Sequence, residues 1–222
     1  MQIIETKDGS HTLFSEQFNE IYHSRYGAIQ ESKHVFIKSG LDYLKSKGET
    51  EIRIFEMGFG TGLNALLTLI EAEKRNLKIY YETIELYPVP LETIKELNYP
   101  LLLENEKYRP PFHSLHLCTW NEEHTIRPYF QFKKIQGSVF DEELETNNAN
   151  LIYFEAFAPS HQLEMWTAPV MKKMYNILAP KGILVSYCSK VLFQHALKEA
   201  GFEIEKISGP WGKREMVRAH KP

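Results

Sequence analysis

Apolar residues fall into two kinds of run along this chain. Short continuous runs at Ile52–Met57, Ile79–Leu86, Tyr129–Ile135, Leu151–Glu155 and Ile183–Cys188 read as strands buried on both faces. Between them the spacing changes to three and four. Leu63, Leu66, Leu67 and Ile70 share one face and predict a helix over Leu63–Arg75. A second helix is predicted over Val191–Ala200, stopping at Gly201, with shorter ones over Pro90–Leu97 and around Met165–Leu178. Pro180-Lys181-Gly182 predicts a turn before the strand that follows it. Phe202–Ile207 and Met216–Ala219 predict a closing hairpin across the Gly/Pro-rich stretch 208–213. Strands alternating with helices predict an α/β fold, a mostly parallel doubly wound sheet with an antiparallel edge strand.

The first fifty residues break this alternation. Asp8-Gly9, between Ile3-Ile4 and Thr12-Leu13, predicts a hairpin turn. Val35, Phe36, Leu41 and Leu44 predict a helix within Ile29–Lys47 that ends near Gly48. Residues 1–50 are therefore expected to be a small N-terminal appendage, hairpin plus helix, and 51–222 the main domain. Two stretches resist the pattern. Prolines 100, 110, 111 and 128 punctuate Asn98–Gln136, and polar Glu142–Asn150 reads as loop.

Composition narrows the functional classes. The 222 residues are 43% hydrophobic and 25% charged, the balance of a globular protein. The longest aliphatic run, Ala65–Ile70, is broken by Thr68, so no helix is expected to span a membrane. No basic segment leads into an apolar one at the N-terminus, which argues against secretion. Two cysteines, Cys118 and Cys188, make no disulfide framework, and a cytoplasmic setting is expected. His113 and His116 lack any zinc context, so no metal is expected. The formal charge of −3 hides an asymmetry, because Met171–Pro222 carries ten Lys/Arg against four acids. A basic C-terminal quarter of this kind can meet phosphate.

In a doubly wound sheet, ligands bind beyond the carboxyl ends of the strands. Glu56-Met57-Gly58-Phe59-Gly60-Thr61-Gly62 stands there after the first strand of the main domain. The dinucleotide fingerprint wants glycine at position 63, which is leucine, so the loop suits a nucleoside lacking a pyrophosphate. Glu85 ends the second strand, 25 residues after Gly60, where a carboxylate can accept from both ribose hydroxyls. Loop and acid together favour an adenosine-bearing cofactor without separating methyl donor from nicotinamide.

Leu151-Ile-Tyr-Phe-Glu-Ala-Phe-Ala-Pro-Ser160, with Met165-Trp166-Thr167 after it, carries more. With Glu56–Asn64, Tyr22-His23-Ser24, Gly27–Phe36 and Gly212–Met216 it resembles the tRNA 5-methylaminomethyl-2-thiouridine methyltransferases, the MnmC-type methyltransferase domain. The resemblance implies a Rossmann-like class I methyltransferase fold, S-adenosylmethionine as donor, and the aminomethyl group of a wobble uridine in tRNA as acceptor. It implies donor contacts from Glu56, Gly58, Phe59, Gly60, Gly62, Asn64, Glu85 and Ser138, and Glu155 as the catalytic acid–base group. Tyr22, Phe157, Pro159, Trp166, Trp211, Lys213 and Arg214 are the expected substrate contacts. Phe59, Phe157 and Trp166 would wall off water, and Trp211 with Lys213 and Arg214 would stack on and neutralise an unstacked anticodon nucleotide. Larger relatives fuse an oxidase domain, and with the chain ending at Pro222 that activity is expected to be absent. Two positions depart from the family pattern. Glu155 replaces an aspartate, and Ser138 replaces an acid after Gly137 that would bind adenine more strongly. The competing expectations are the same fold acting on another RNA or a small amine, a nicotinamide oxidoreductase, and a non-catalytic adenosine-binding module.

Overall fold

A strand covered on both faces must be apolar at consecutive positions, and the five continuous runs occupy the middle of one sheet. The computed structural model describes residues 1–103, 106–144 and 148–222. Of the expected loop 142–150, residues 145–147 lie outside that set, and Ala149 and Asn150 already belong to a strand. The chain opens with β1 (Gln2–Glu5), β2 (His11–Ser15) and β3 (Glu20–Ile21), a small antiparallel sheet. Next come α1 (Ala28–Ser32), a π-helical stretch Lys33–Leu41, and α2 (Asp42–Ser46). Then follow β4 (Glu51–Met57), α3 (Leu63–Arg75), β5 (Lys78–Glu85), α4 (Leu91–Lys95), α5 (Tyr99–Leu102), α6 (Arg109–Leu117), β6 (Glu123–Arg127) and β7 (Phe130–Gln136). The chain closes with β8 (Ala149–Phe154), a 3-10 turn Leu163–Trp166, α7 (Ala168–Ile177), β9 (Leu178–Ser186), α8 (Val191–Ala200), β10 (Glu203–Ser208) and β11 (Glu215–His220).

The main sheet runs β10-β11-β9-β8-β4-β5-β7-β6. Pairing is parallel from β9 across to β7 and antiparallel at β11 and at the β6 edge. This is a Rossmann-like, doubly wound arrangement, with β11 slotted between β9 and β10 rather than closing the edge. Successive side chains of β4 go to opposite faces. Ile52 and Ile54 join the layer under the π-helical stretch, α3 and α6, while Phe55 and Met57 join the layer under α7 and α8. The N-terminal helical segment thus packs on the main sheet, and the π-helical Gly40 lies so close that a Cβ there would sit 3.1 Å from Leu151.

The differences from expectation have local causes. Pro110 and Pro111 do not break structure; they occupy the first turn of α6, where no N–H is needed. β6 is a polar edge strand, Glu-His-Thr-Ile-Arg, with no apolar periodicity to announce it. Pro169 starts α7, leaving Leu163–Trp166 as a separate 3-10 turn. The Pro180-Lys-Gly182 turn sits inside β9 as an irregularity, because β8 pairs Ala149 with Leu178 but Leu151 with Ile183.

Two side chains lock the N-terminal sheet to α1. Asp8 Oδ1 accepts from the backbone N–H of Ser10 at 3.0 Å, and Oδ2 from that of Gln30 at 2.9 Å. Ser10 Oγ accepts from the N–H of Ala28 at 3.1 Å and Ile29 at 3.3 Å. Orphan amides of the first helical turn are satisfied from outside the helix. Replacing Asp8 by Ala should therefore lower unfolding free energy by about 1 kcal/mol, the usual cost of a lost helix cap, read as a lower urea midpoint.

Candidate functional site

The site begins where β4 ends. Gly58 has φ 89°, and a Cβ there would lie 2.5 Å from the backbone oxygen of Glu155. Gly62 has φ 73°, and a Cβ there would lie 2.6 Å from His116 Nε2. Both positions need glycine, for backbone conformation and for space. The loop they shape turns amides toward the end of β5, where Gly60 N–H donates to Glu85 Oε2 at 2.9 Å and Tyr87 N–H to Oε1 at 2.8 Å. Burial pushes the Glu85 carboxyl up, and these amides oppose it. Glu85 lines a cavity of about 930 Å³.

On the other side of the loop stands Glu155, just past β8, with a side chain 13% exposed. Asn64, in the first turn of α3, donates through Nδ2 to Glu56 Oε1 at 3.0 Å and to Glu155 Oε2. One amide thus bridges two carboxyls. Glu56 is fully buried, and that burial, then the neighbouring Glu155, holds its carboxyl well above the ordinary range. The Glu155 carboxyl is pushed up to about 8, first by burial, against the hydrogen bond from Asn64. His23 Nε2 stands 3.9 Å from Glu155 Oε1, its imidazole pushed down to about 4 by burial and so neutral.

The segment between β2 and α1 supplies the roof. Tyr22 packs edge-on to Phe157 at 5.0 Å, and Phe18 stacks on Phe157 at 4.5 Å. The segment after Glu155 is tied from below. Trp166 Nε1 donates to the Phe157 carbonyl at 2.8 Å, and the Tyr187 hydroxyl to that of Ala156 at 2.8 Å.

The cavity brings together Tyr22, Gly58, Phe59, Gly60, Asn64, Glu85, Ser138, Glu155, Phe157, Pro159, Lys213 and Arg214. Four expected residues stand elsewhere. Glu56 lies behind the wall as the partner of Asn64, and Gly62 turns away toward His116. Trp166 is 0% exposed among Phe154, Tyr187 and Phe193, behind the cavity wall, where it anchors the Phe157 segment. Trp211 is exposed outside the cavity. Lys213 reaches the cavity but its Nζ is committed, 2.8 Å from Glu31 and 4.0 Å above the Tyr187 ring. His23, Tyr187 and Glu31 were not among the expected site residues, because each meets a partner distant in sequence; the Tyr22-His23-Ser24 and Gly27–Phe36 matches were the signals for His23 and Glu31. Among the described residues, no group of three His, Cys, Asp or Glu side chains is placed to hold a metal ion, and no helix is long and apolar enough to cross a membrane.

Known proteins resemble this chain in sequence and in fold. A family model described as S-adenosyl-L-methionine-dependent methyltransferase matches residues 125–222. The bifunctional tRNA 5-methylaminomethyl-2-thiouridine biosynthesis protein MnmC of Leptospira interrogans is 30% identical over 219 residues, covering 93% of this chain and 33% of its own length. The protein of the same name from Actinobacillus pleuropneumoniae is 28% identical, covering 97% of this chain and 34% of its own. The chain thus spans about a third of the length of the curated relatives it matches. The crystal structure of MNMC2 from Aquifex aeolicus superposes with TM-score 0.79 at 25% identity, covering all of this chain and 70% of that one.

The raised Glu155 carboxyl has a consequence for stability. Between its unfolded value of 4.5 and its folded value of about 8, the folded state binds the extra proton, so stability falls as pH rises through that window. Glu155→Gln, which mimics the protonated acid, should flatten the decline of Tm with pH; an unchanged slope would mean that Glu155 is ionised throughout.

Proposed function

We infer, for a chain related along its length to the methyltransferase part of the MnmC proteins, that it transfers a methyl group from S-adenosylmethionine to the aminomethyl group of a wobble uridine in tRNA. The observation that carries this is the placing of Glu155 and Glu85 on opposite sides of one glycine loop, in one cavity. The residues suit the donor. Glu85 offers a carboxylate for a ribose, the loop amides border it, and Ser138 and Phe140 line the cavity nearby. When bound, the donor supplies an electrophilic methyl on a sulfonium. In this reading residues 1–50 are an appendage that roofs the methyltransferase domain 51–222, the partner is the anticodon loop of tRNA, and the protein works in the cytoplasm.

The chain's own residues have two tasks. An alkylamine is mostly protonated near neutrality and must lose a proton before its nitrogen can attack. Glu155, in its carboxylate form, accepts that proton from the ammonium, and its raised proton affinity narrows the gap between acid and base. Asn64 holds one Glu155 oxygen and orients the other. Phe157, Tyr22 and Phe59 line the cavity and keep water from the amine, which favours its neutral form. Positioning then does most of the work of an in-line displacement.

Nucleoside mass spectrometry of tRNA bearing the 5-aminomethyl group, after incubation with protein and S-adenosylmethionine, should show a gain of one methyl. No gain, despite donor binding seen by calorimetry, would point to a different acceptor. Glu155→Gln should lower kcat at neutral pH by about a hundredfold or more, the usual worth of a positioned base. Near-normal turnover in that variant would remove Glu155 from the chemistry.

A further inference from the structure

At the edge of the cavity, two large rings lie open to solvent side by side. Trp211 is 64% exposed and Tyr26 40%, with ring centroids 6.1 Å apart and planes inclined by 30°. The pair brings together residues 185 positions apart. It is held in place from several directions. Gly212 follows Trp211 at φ 89°, and a Cβ there would meet the Tyr26 ring at 2.7 Å, so the closeness depends on glycine. The loop is closed by Lys213 N–H donating to the Pro210 carbonyl at 2.9 Å and by the buried Glu31 gripping Lys213 Nζ. Tyr26 is fixed through its own N–H, which donates to Ser24 Oγ at 3.1 Å, and Lys7 Nζ stands 4.6 Å from its ring centroid. Tyr26, Arg25 and Arg214 line the cavity, and Trp211 does not, so the rings form a rim leading out of the site.

We propose that Tyr26 and Trp211 form a stacking platform for a nucleobase next to the reactive nucleotide of single-stranded RNA. The proposal rests on the tRNA reading above and divides its labour: the target base enters the cavity, and its neighbour stays outside on the two rings. Aromatic rings held open beside exposed Lys7, Arg25 and Arg214 have the chemistry of single-stranded nucleic-acid recognition, π-faces for bases and cations for the backbone. A protein partner would find the same rings but not need three cations around them. The phosphate contacts belong to Arg25 and Arg214 rather than to Lys213, whose charge is already matched by Glu31.

The test compares two acceptors, an anticodon stem-loop RNA carrying 5-aminomethyluridine and the isolated 5-aminomethyluridine nucleoside. Trp211→Ala and Tyr26→Ala should each lower the ratio of kcat/KM for stem-loop to that for nucleoside by about tenfold, as expected for one lost base–ring stack. Trp211→Phe should recover part of the loss, and calorimetry with S-adenosylmethionine should show donor affinity intact in all three. An unchanged ratio, with stem-loop binding also unchanged, overturns the platform. A wild-type protein that binds donor but methylates neither acceptor overturns the tRNA reading itself and the platform with it.

Discussion

The carboxyl ends of β4 and β8 touch, and the site follows from that contact. Glu155 N–H donates to the Met57 carbonyl at 3.1 Å, and Gly58 approaches the Glu155 carbonyl more closely than any side chain would allow. Two neighbouring parallel strands therefore end in two carboxyls, Glu56 and Glu155, with the amide of Asn64 between them. A buried site cannot cheaply hold two negative charges so close, which keeps at least one proton there. Glu56 is fully buried, and burial and the neighbouring Glu155 push its carboxyl up, whereas Glu155 stands at the cavity wall.

Around this centre the molecule is arranged in shells of decreasing enclosure. The glycine loop and Glu85 form the floor, and the strap from β2 to α1, with Phe18, Tyr22 and His23, forms the roof. Tyr26, Trp211 and the exposed arginines form the outer rim. The basic C-terminal quarter is less of a patch than its composition implies. Arg218 and His220 share Glu205, Lys206 pairs with Glu215, Lys213 pairs with Glu31, and Lys221 donates to the Tyr175 and Leu178 carbonyls. Two of those ion pairs, Arg218 with Glu205 and Lys206 with Glu215, tie β10 to β11, so part of that charge is matched within the fold.

The readable parts of the fold were those with a local cause. Continuous apolar runs announced the five central strands, and the Gly58-x-Gly-x-Gly62 spacing announced the turn before α3, because positive φ is a property of the residue itself. The Asn98–Gln136 stretch was opaque for an equally local reason: prolines read as breaks, yet Pro100, Pro110 and Pro111 sit at helix starts, where they are tolerated. β6 carried no signal because an edge strand need not bury either face.

Site residues divide along the same line. Chain order and residue type alone placed Glu85 and Glu155 at strand ends, and Gly58 and Gly60 beside them, since a doubly wound sheet always presents those ends together. Residue type could not say that Trp166 would be sealed in the core, that Trp211 would stay outside it, or that Lys213 would already have a partner. Those outcomes depend on contacts such as Glu31 with Lys213, 182 positions apart, and Trp211 with Tyr26. Periodicity along a chain records which face a residue takes; which distant residue meets it there is decided only when the layers pack.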